Sequence, residues 1–168
     1  DETMRNLNEV VNIRTNFNVT VERLNLHDHI EKSLSVLEKQ IIDKKAEVQN
    51  LVPKNIFIDY NVAYLESILY NFISNAIRYS NPKKKPLIVL QFDEEKKALS
   101  ITDNGIGIDL ERNRDKIFGL YQRFHNYPDS KGLGLYLVKS QVETMEGTIS
   151  IESEVNKGTS FTLTFKNK

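Results

Sequence analysis

Two short segments of the sequence contain glycines next to groups that could bind a ligand. In the first, SITDNGIGID at Ser100 to Asp109, a strand-like run leads to Asp103, and Gly105 and Gly107 follow it. A carboxylate at the end of a strand can accept a hydrogen bond from an exocyclic amine. Glycine lets the backbone turn sharply and lets a ligand approach closely. The pattern therefore indicates a binding loop, although a plain Asn-Gly turn would use the same residues.

The second segment, SKGLGLYLV at Ser130 to Val138, opens an amphipathic helix with Gly132 and Gly134. The free N–H groups and the dipole at a helix start favour phosphate oxygens. The segment lacks the GxxxxGK[ST] pattern of a Walker loop, and it lacks the third glycine of a dinucleotide fingerprint. It predicts an anion-binding helix start or, as the alternative, a flexible one.

A long amphipathic helix is predicted from about Val62 to Tyr79, because its apolar residues repeat at three and four positions over three turns. Asn81-Pro82 stops it. Along its flank, at helical spacing, lie Asn71, Asn75, Arg78 and Tyr79. Asparagine is a mediocre helix former, so two of them one turn apart predict a ledge of oxygen ligands beside a cation and a ring. A polar flank that simply meets water is the alternative.

The rest of the chain must position these residues, and its periodicity alternates between helix and strand. Helices are predicted at about 28–43 and from Gly132 to a left-handed cap at Gly147, with helical pieces near 4–13 and 117–124. Strands are predicted at about 46–52, 56–58, 87–92, 98–102, 149–155 and 161–165, and residues 14–25 are interpreted as a linker. We therefore predict an α/β fold, a two-layer α/β sandwich with a mixed sheet and helices packed on one face.

The composition limits the class of protein. Hydrophobic residues make up 39% and charged residues 27%, as in an ordinary globular domain rather than a disordered chain. Lys and Arg number 23 and so do Asp and Glu, and the resulting net charge of zero disfavours a non-specific nucleic-acid binder. The absence of cysteine excludes disulfides and thiolate metal sites. No apolar run exceeds four residues, whereas a membrane span needs roughly 20.

Taken in order, the segments resemble the ATP-binding catalytic domain of sensor histidine kinases, from the superfamily of gyrase, heat-shock chaperone and mismatch-repair ATPases. NFISNAIRYS (Asn71–Ser80) is similar to the kinase Asn box, and DNGIGI (Asp103–Ile108) to the first glycine box. IFGLYQRFH (Ile117–His125) is similar to the Phe box, KGLGL to the second glycine box and GTSFTLTF to the closing strand. The resemblance covers about Leu26 to Phe165 and implies a Bergerat-type ATP-binding fold.

The resemblance also implies roles for individual residues. Asp103 is expected to accept the adenine amine, Tyr79 to lie along the ring and Thr159 to hold the base through water. Asn75 is expected to ligate Mg²⁺, which needs few protein ligands. The implied ATP-binding residues are Asn71, Asn75, Arg78, Tyr79, Asp103, Gly105, Gly107, Ile108, Arg123, Lys131, Gly132, Leu133, Gly134, Leu135 and Thr159.

Asn71 bears on the type of reaction. In the ATPase branches of the superfamily a Glu typically stands at this position and acts as the base for water, which an amide cannot do. The resemblance therefore implies phosphoryl transfer to a histidine rather than rapid hydrolysis, since such transfer needs positioning and charge neutralisation more than a protein base. Arg78 and Arg123 are expected to contact phosphates. The chain departs from the family at Ser130, where a further glycine is usual, and this indicates a stiffer lid hinge.

None of the three histidines is expected to be the phosphoacceptor. His27 stands beside an acid, but at the start of the domain's own first helix, where Asp28 is expected to cap the helix. His27 and His29 point to different helix faces, which argues against a metal site, and His125 belongs to the Phe-box match. No catalytic residue is therefore assigned within the chain, and the acceptor histidine is expected on an upstream helix.

The same resemblance implies a division of the chain and a set of partners. Residues 1–20 are interpreted as the C-terminal remnant of a dimerisation and phosphoacceptor helix plus a linker, and residues 21–168 as the ATP-binding catalytic domain. The expected ligands are ATP and Mg²⁺. The expected partners are the phosphoacceptor domain of the same or a sister chain and a response-regulator receiver domain. No nucleic acid or membrane contact is expected for this fragment, which is expected in the cytoplasm, whether or not a parent protein has a membrane anchor.

Two other functions stay open at this point. A Ser/Thr protein kinase of the anti-sigma type has a related fold, but the Phe box and the helical remnant favour a histidine kinase. The other is a non-catalytic, degenerate module that senses ATP or docks partners. The intact residues Asn75, Asp103, Gly105, Gly107, Gly132 and Gly134 argue against degeneration.

Overall fold

The computed structural model describes residues 4, 5, 7, 19–114, 116–119 and 134–166. Its elements follow in the order β1 (Glu22–Asn25), α1 (Leu26–Val36), α2 (Glu38–Asp43), β2 (Glu47–Asn50), β3 (Phe57–Tyr60), α3 (Val62–Arg78), β4 (Leu87–Asp93), β5 (Ala98–Asp103), α4 (Leu110–Asn113), α5 (Gly134–Thr144), β6 (Thr148–Glu154) and β7 (Gly158–Thr164). Met4, Arg5 and Leu7 are helical. The other residues of the helix predicted at 4–13 lie outside the described ranges.

Five strands form one mixed sheet in the order β2-β4-β5-β7-β6. β2 runs parallel to β4, whereas the other neighbours are antiparallel. The predicted C-terminal strand pair is confirmed as β6 and β7. Asp103 is the register partner of Thr159, and Thr159 is the partner of Ser153. The sheet topology therefore places these three side chains in one row on the same face.

Helices cover that face of the sheet. Ile101 of β5 and its register partner Phe161 of β7 are buried there, and Phe72 of α3 stacks on Phe161 with 4.7 Å between the ring centroids. α1 and α5 both pack against α3. The opposite face carries hydroxyl side chains, among them Thr102 and Ser160, whose oxygens are 2.8 Å apart. The predicted two-layer sandwich with helices on one face is confirmed. In the described ranges no helix is long and apolar enough to cross a membrane.

A separate two-stranded ribbon pairs β1 with β3 in antiparallel fashion. The prediction that residues 14–25 form a linker is wrong for Glu22–Asn25. β1 has only four residues, of which Leu24 is the one that is buried, so its local pattern is too short to reveal a strand.

The helix predicted at 28–43 begins earlier in the structure and is not continuous. α1 begins at Leu26, and its cap is Asn25 rather than Asp28, because Asn25 Oδ1 accepts from the Asp28 N–H at 3.0 Å. The predicted helix is divided into α1 and α2 at Leu37. This residue separates the two helices in the sequence, and its side chain is buried. The helix predicted at 62–79 and the strand pair predicted after it are confirmed.

The end of α5 does not use a left-handed glycine. Glu146 has a φ of 61°, whereas Gly147 has no positive φ, so the predicted cap at Gly147 is wrong. A Cβ on Gly147 would lie 2.3 Å from the Thr164 carbonyl oxygen, so this glycine is needed for close contact with β7. α4 is a helix of four residues in a stretch for which the sequence predicts no element. Of the helical piece predicted at 117–124, residues 117–119 form a turn, and the others lie outside the described ranges.

Candidate functional site

The predicted binding loop lies at the carboxyl end of β5. Asp103 ends the strand, and the loop then passes the C-terminus of α3, where the Ile106 N–H donates to the Tyr79 carbonyl at 3.0 Å. On its other side the Ile106 carbonyl accepts from the Asn156 N–H at 2.8 Å, in the turn between β6 and β7. Backbone hydrogen bonds therefore hold the loop from both sides.

Asp103 is a partly buried hydrogen-bond acceptor. Its Oδ1 accepts from the Gly105 N–H at 2.8 Å and from the Thr159 N–H at 3.3 Å. Its Oδ2 accepts no hydrogen bond from the residues that the structure describes. Burial raises the pKa of this carboxyl from 3.8 to about 6, against the two backbone hydrogen bonds, which lower it. The side chain is thus fixed through one oxygen and offers the other to a donor such as an exocyclic amine.

The two glycines of the loop let the protein's own backbone segments approach each other. A Cβ on Gly105 would lie 2.5 Å from the Tyr79 carbonyl oxygen, and one on Gly107 would lie 2.1 Å from the Glu154 carbonyl oxygen. Gly107 also has a φ of +73°, where other residues are strained. Glycine is therefore required at both positions by contacts within the protein, in addition to the expected approach of a ligand.

Ser153 also lies at the site, although it belongs to none of the motifs identified in the sequence. The Ile108 N–H donates to Ser153 Oγ at 2.8 Å, and the same oxygen lies 2.8 Å from Thr159 Oγ1. The sequence does contain one signal, since Ser153 continues the alternation of Ile149 and Ile151 on the helix-facing side of β6. A serine at an apolar position of a strand indicates a hydroxyl with a specific partner.

α3 places its two asparagines one turn apart, and the first faces the start of α5. Asn71 is only 6% exposed, and its Nδ2 donates to the Ser67 carbonyl at 2.8 Å. A Cβ on Gly134 would lie 2.6 Å from Asn71 Oδ1. Asn75 is half-buried, and its side chain forms no hydrogen bond with any residue that the structure describes. An amide oxygen in this state can ligate a hard cation. Three further predicted site residues are half-buried: Arg78, Tyr79 and Leu135.

Residues 61–168 match the family described as histidine kinase-, DNA gyrase B-, and HSP90-like ATPase. The chain belongs to this family. Heme sensor protein HssS of Staphylococcus saprophyticus is 36% identical over 113 residues, which cover 67% of this chain and 24% of that protein. Signal transduction histidine-protein kinase ArlS of Staphylococcus aureus is 31% identical over 151 residues, which cover 86% of this chain and 32% of that protein. Histidine kinase AdeS of Acinetobacter baumannii shares the fold, with a TM-score of 0.76 at 22% identity over 98% of this chain and 77% of that chain.

Membership in this ATPase family confirms the predicted resemblance to the ATP-binding catalytic domain of sensor histidine kinases. It also supports ATP as the nucleotide of the site. The chain spans about a quarter to a third of the length of the curated relatives that it matches, at 24% of HssS and 32% of ArlS.

The described part of this ATPase domain contains the end of the site near Asp103 and the start of α5 from Gly134. Four predicted ATP-binding residues lie outside the described ranges: Arg123, Lys131, Gly132 and Leu133. The departure at Ser130 and the Phe-box residue His125 lie outside them as well.

The first histidine of the chain has structural contacts. His27 Nδ1 lies 2.6 Å from the Val52 carbonyl oxygen, and its Nε2 lies 3.7 Å from Glu31 Oε1. The contact with Val52 ties α1 to the segment after β2, and Glu31 lies on α1 itself. Within the ranges that the structure covers, no group of three or more His, Cys, Asp or Glu residues could hold a metal ion.

Gly134→Ala is expected to weaken ATP binding about 3- to 10-fold without unfolding the domain. Among the described residues the new Cβ meets the Asn71 side chain, which has to shift. Alanine favours a helix over glycine by about 1 kcal/mol. Calorimetric titration with a non-hydrolysable ATP analogue measures the affinity, and urea unfolding measures the stability. Glu143→Ala, on the exposed side of α5, is the matched control. An unchanged affinity in Gly134→Ala would show that Asn71 does not touch the nucleotide site.

Proposed function

We propose that this chain is the kinase domain of a two-component sensor histidine kinase. It transfers the γ-phosphoryl group of ATP to a histidine on an upstream dimerisation domain, and the group is then relayed to an aspartate of a response regulator. The observation that carries the proposal is Asn71, a buried neutral amide that Ser67 holds where α3 meets the start of α5.

An amide at this position supports transfer rather than hydrolysis. Hydrolysis needs a group that takes a proton from water, and the Asn71 amide has no useful basicity. A neutral imidazole already carries the lone pair that attacks phosphorus. The protein therefore needs to align the two reactants and neutralise phosphate charge, which are the main contributions to phosphoryl transfer.

In the proposed complex the base lies at the carboxyl end of β5. The adenine amine donates to Asp103 Oδ2, which has no other described donor. Tyr79 lies along the ring, and Thr159 holds the base through water. Gly105, Gly107 and Ile108 form the adjoining loop.

The phosphates extend from the base towards the start of α5 in this proposal. The free N–H groups of a helix start favour phosphate oxygens, and the glycine at Gly134 keeps this helix close to Asn71. The residues proposed to hold the phosphates are Asn71, Arg78, Arg123, Lys131, Gly132, Leu133, Gly134 and Leu135.

Mg²⁺ is the proposed cofactor, and Asn75 is its proposed protein ligand. The half-buried Asn75 fits this role because its amide oxygen has no competing hydrogen bond among the described residues. When bound, Mg²⁺ neutralises phosphate charge. Asn75 then orients the phosphates relative to Asn71, one helical turn away.

The domain division and the partners belong to the same proposal. Residues 1–20 are the end of a dimerisation and phosphoacceptor helix with a linker, and residues 21–168 are the ATP-binding catalytic domain. The helical Met4, Arg5 and Leu7 and the start of β1 at Glu22 support this division. The acceptor histidine lies on the upstream domain of the same or a sister chain, and the domain acts in the cytoplasm.

Asn75→Ala is expected to remove the Mg²⁺ dependence of nucleotide binding. Calorimetric titration with a non-hydrolysable ATP analogue should show tighter binding with Mg²⁺ than without it in the wild type. In Asn75→Ala the two affinities should agree within about twofold, because the ion has lost its protein ligand. Asn55→Ala, at an exposed asparagine outside the proposed site, is the control and should behave like the wild type.

A phosphotransfer assay then tests the reaction. The domain is mixed with the upstream helices and labelled ATP, and acid-labile, base-stable label on the helices is the expected product. Absence of nucleotide binding by the wild type at millimolar concentration would overturn the proposal and favour a docking module. Label on a serine or threonine instead would favour the anti-sigma type of kinase.

A further inference from the structure

The Ser153 hydroxyl lies at the centre of a hydrogen-bond cluster next to Asp103. Its Oγ is 2.8 Å from the Ile108 backbone nitrogen, 2.8 Å from the Gly158 carbonyl oxygen and 2.8 Å from Thr159 Oγ1. All three contacts are within normal hydrogen-bond distance. The cluster connects the binding loop after β5 to the facing strands β6 and β7.

The direction of each hydrogen bond follows from the number of protons available. A serine hydroxyl has one proton to donate and two lone pairs that accept. The Ile108 N–H can only donate to Ser153, and the Gly158 carbonyl can only accept from it. Because Gly158 takes the single Ser153 proton, the Thr159 hydroxyl must donate to Ser153. The Thr159 proton therefore points towards β6.

Thr159 lies between Ser153 and Asp103 in the row formed by β6, β7 and β5. With its proton turned towards Ser153, Thr159 Oγ1 presents only lone pairs to its other neighbours. Asp103 Oδ1 is already occupied by the N–H groups of Gly105 and Thr159. At a pH where Asp103 is ionised, Asp103 Oδ2 and Thr159 Oγ1 are both acceptors.

We propose that Ser153 is a specificity-determining positioning residue, which makes the base-binding end of the site accept hydrogen bonds only. Where it contacts position 6 of the base directly, such a site selects a purine with an amino group there, because the amine donates. It rejects a purine with an oxo group there, because two acceptors would face each other. The inference rests on the proposed function, because it concerns how the same site reads the base of ATP. Without Ser153 the Thr159 hydroxyl is free to rotate and to donate to an oxo group.

Calorimetric titration with ADP and with inosine diphosphate tests this inference. The two bases differ at position 6, which is an amino or an oxo group, and at N1, which carries a proton only in the oxo base. The preference of each Ser153 variant is therefore compared with that of the wild type, for which the same two ligands are used. The wild type is expected to prefer ADP by about 100-fold or more, because buried polar groups discriminate strongly against a mismatched partner. Ser153→Ala is expected to lower that preference about fivefold. Ser153→Thr, which keeps the hydroxyl, should retain it. Ser150→Ala, on the exposed face of the same strand, is the matched control and should also retain it.

A second variant keeps the test valid if Ser153→Ala does not fold. Ser153→Cys preserves the size of the side chain but is a weak acceptor for the Thr159 proton, so the preference should fall about twofold to threefold. A Ser153 variant that weakens both nucleotides by the same factor would overturn the inference, because Ser153 would then support only the fold. Binding of neither nucleotide by the wild type would overturn the proposed function and this inference with it.

Discussion

Asp103→Asn is expected to abolish measurable ATP binding while making the nucleotide-free domain more stable. An asparagine can keep the hydrogen bonds from the Gly105 and Thr159 N–H groups with its own Oδ1. Its NH₂ group then stands where the carboxylate offers Oδ2. Two donors would face each other at the adenine amine, and an affinity loss of about 100-fold or more follows from the unmatched groups.

The gain in stability follows from the direction of the pKa change. Burial raises the pKa of Asp103 from 3.8 to about 6, so the folded domain holds the proton more tightly than the unfolded chain does. Between these values the folded state binds more protons, and stability falls as the pH rises through that window. Above pH 6 the ionised carboxylate lowers the free energy of unfolding by about 3 kcal/mol at most. Asparagine avoids this cost, and we expect a gain of about 1–3 kcal/mol at pH 7.5.

Urea unfolding at pH 4.0 and pH 7.5 measures this difference. The free energy of unfolding of Asp103→Asn should be clearly larger than that of the wild type at pH 7.5. The difference should be much smaller at pH 4.0, where Asp103 is largely protonated in the folded wild type. In the same window the affinity of the wild type for ATP should fall as the pH drops below 6, since protonation removes the acceptor. Asp109→Asn is the control, because asparagine caps the start of α4 as well as aspartate does. Tight ATP binding by Asp103→Asn would show that Asp103 does not contact the base.

Gly158→Ala is expected to destabilise the domain by about 3 kcal/mol or more and to remove nucleotide binding with it. Gly158 has a φ of +124°, which residues with a Cβ rarely adopt. A Cβ there would lie 2.0 Å from the Asp103 carbonyl oxygen, so β7 and the end of β5 would have to separate. The Ser153 Oγ that donates to the Gly158 carbonyl would be displaced as well.

Urea unfolding of the wild type and Gly158→Ala measures this effect, with the ATP-analogue titration as the second readout. Lys157→Ala, at the preceding exposed position, controls for a change in the turn itself and should leave both quantities nearly unchanged. An unfolding free energy within about 1 kcal/mol of the wild type would mean that the strands separate at little cost.

The parts of the fold that the sequence predicts correctly are those with a repeating pattern. α3 has an apolar stripe over three turns, and β4 to β5 and β6 to β7 alternate over several residues each. β1 has four residues, and its partner β3 is more than 30 residues away, so no local pattern reveals it. Asn25 rather than Asp28 caps α1 because β1 ends at Asn25. The sequence around α1 does not show where β1 ends.

The candidate site divides in the same way. Asn71 and Asn75 could be predicted because they lie on one helix, and Asp103 because it ends a strand before two glycines. For Ser153 the alternation of β6 indicates only the face of the sheet. Its hydrogen-bond partners depend on the register of β6 against β7 and on the loop after β5, which no local pattern gives. The need for glycine at Gly158 could not be predicted either, because the backbone that it contacts, at Asp103, belongs to another strand.

The β1–β3 ribbon has a mechanical consequence for α3. Asn61 caps α3 by accepting from the Tyr64 N–H at 3.0 Å, and the same side chain donates to the Thr20 carbonyl at 2.8 Å. Tension or torque applied to the chain at Thr20 therefore reaches the first turn of α3 through the Asn61 amide as well as through the paired strands. α3 is a continuous helix, and at 1.5 Å per residue Asn75 lies about 20 Å along it from Asn61. A small tilt at its first turn is thus magnified by this lever arm into a larger movement of Asn75.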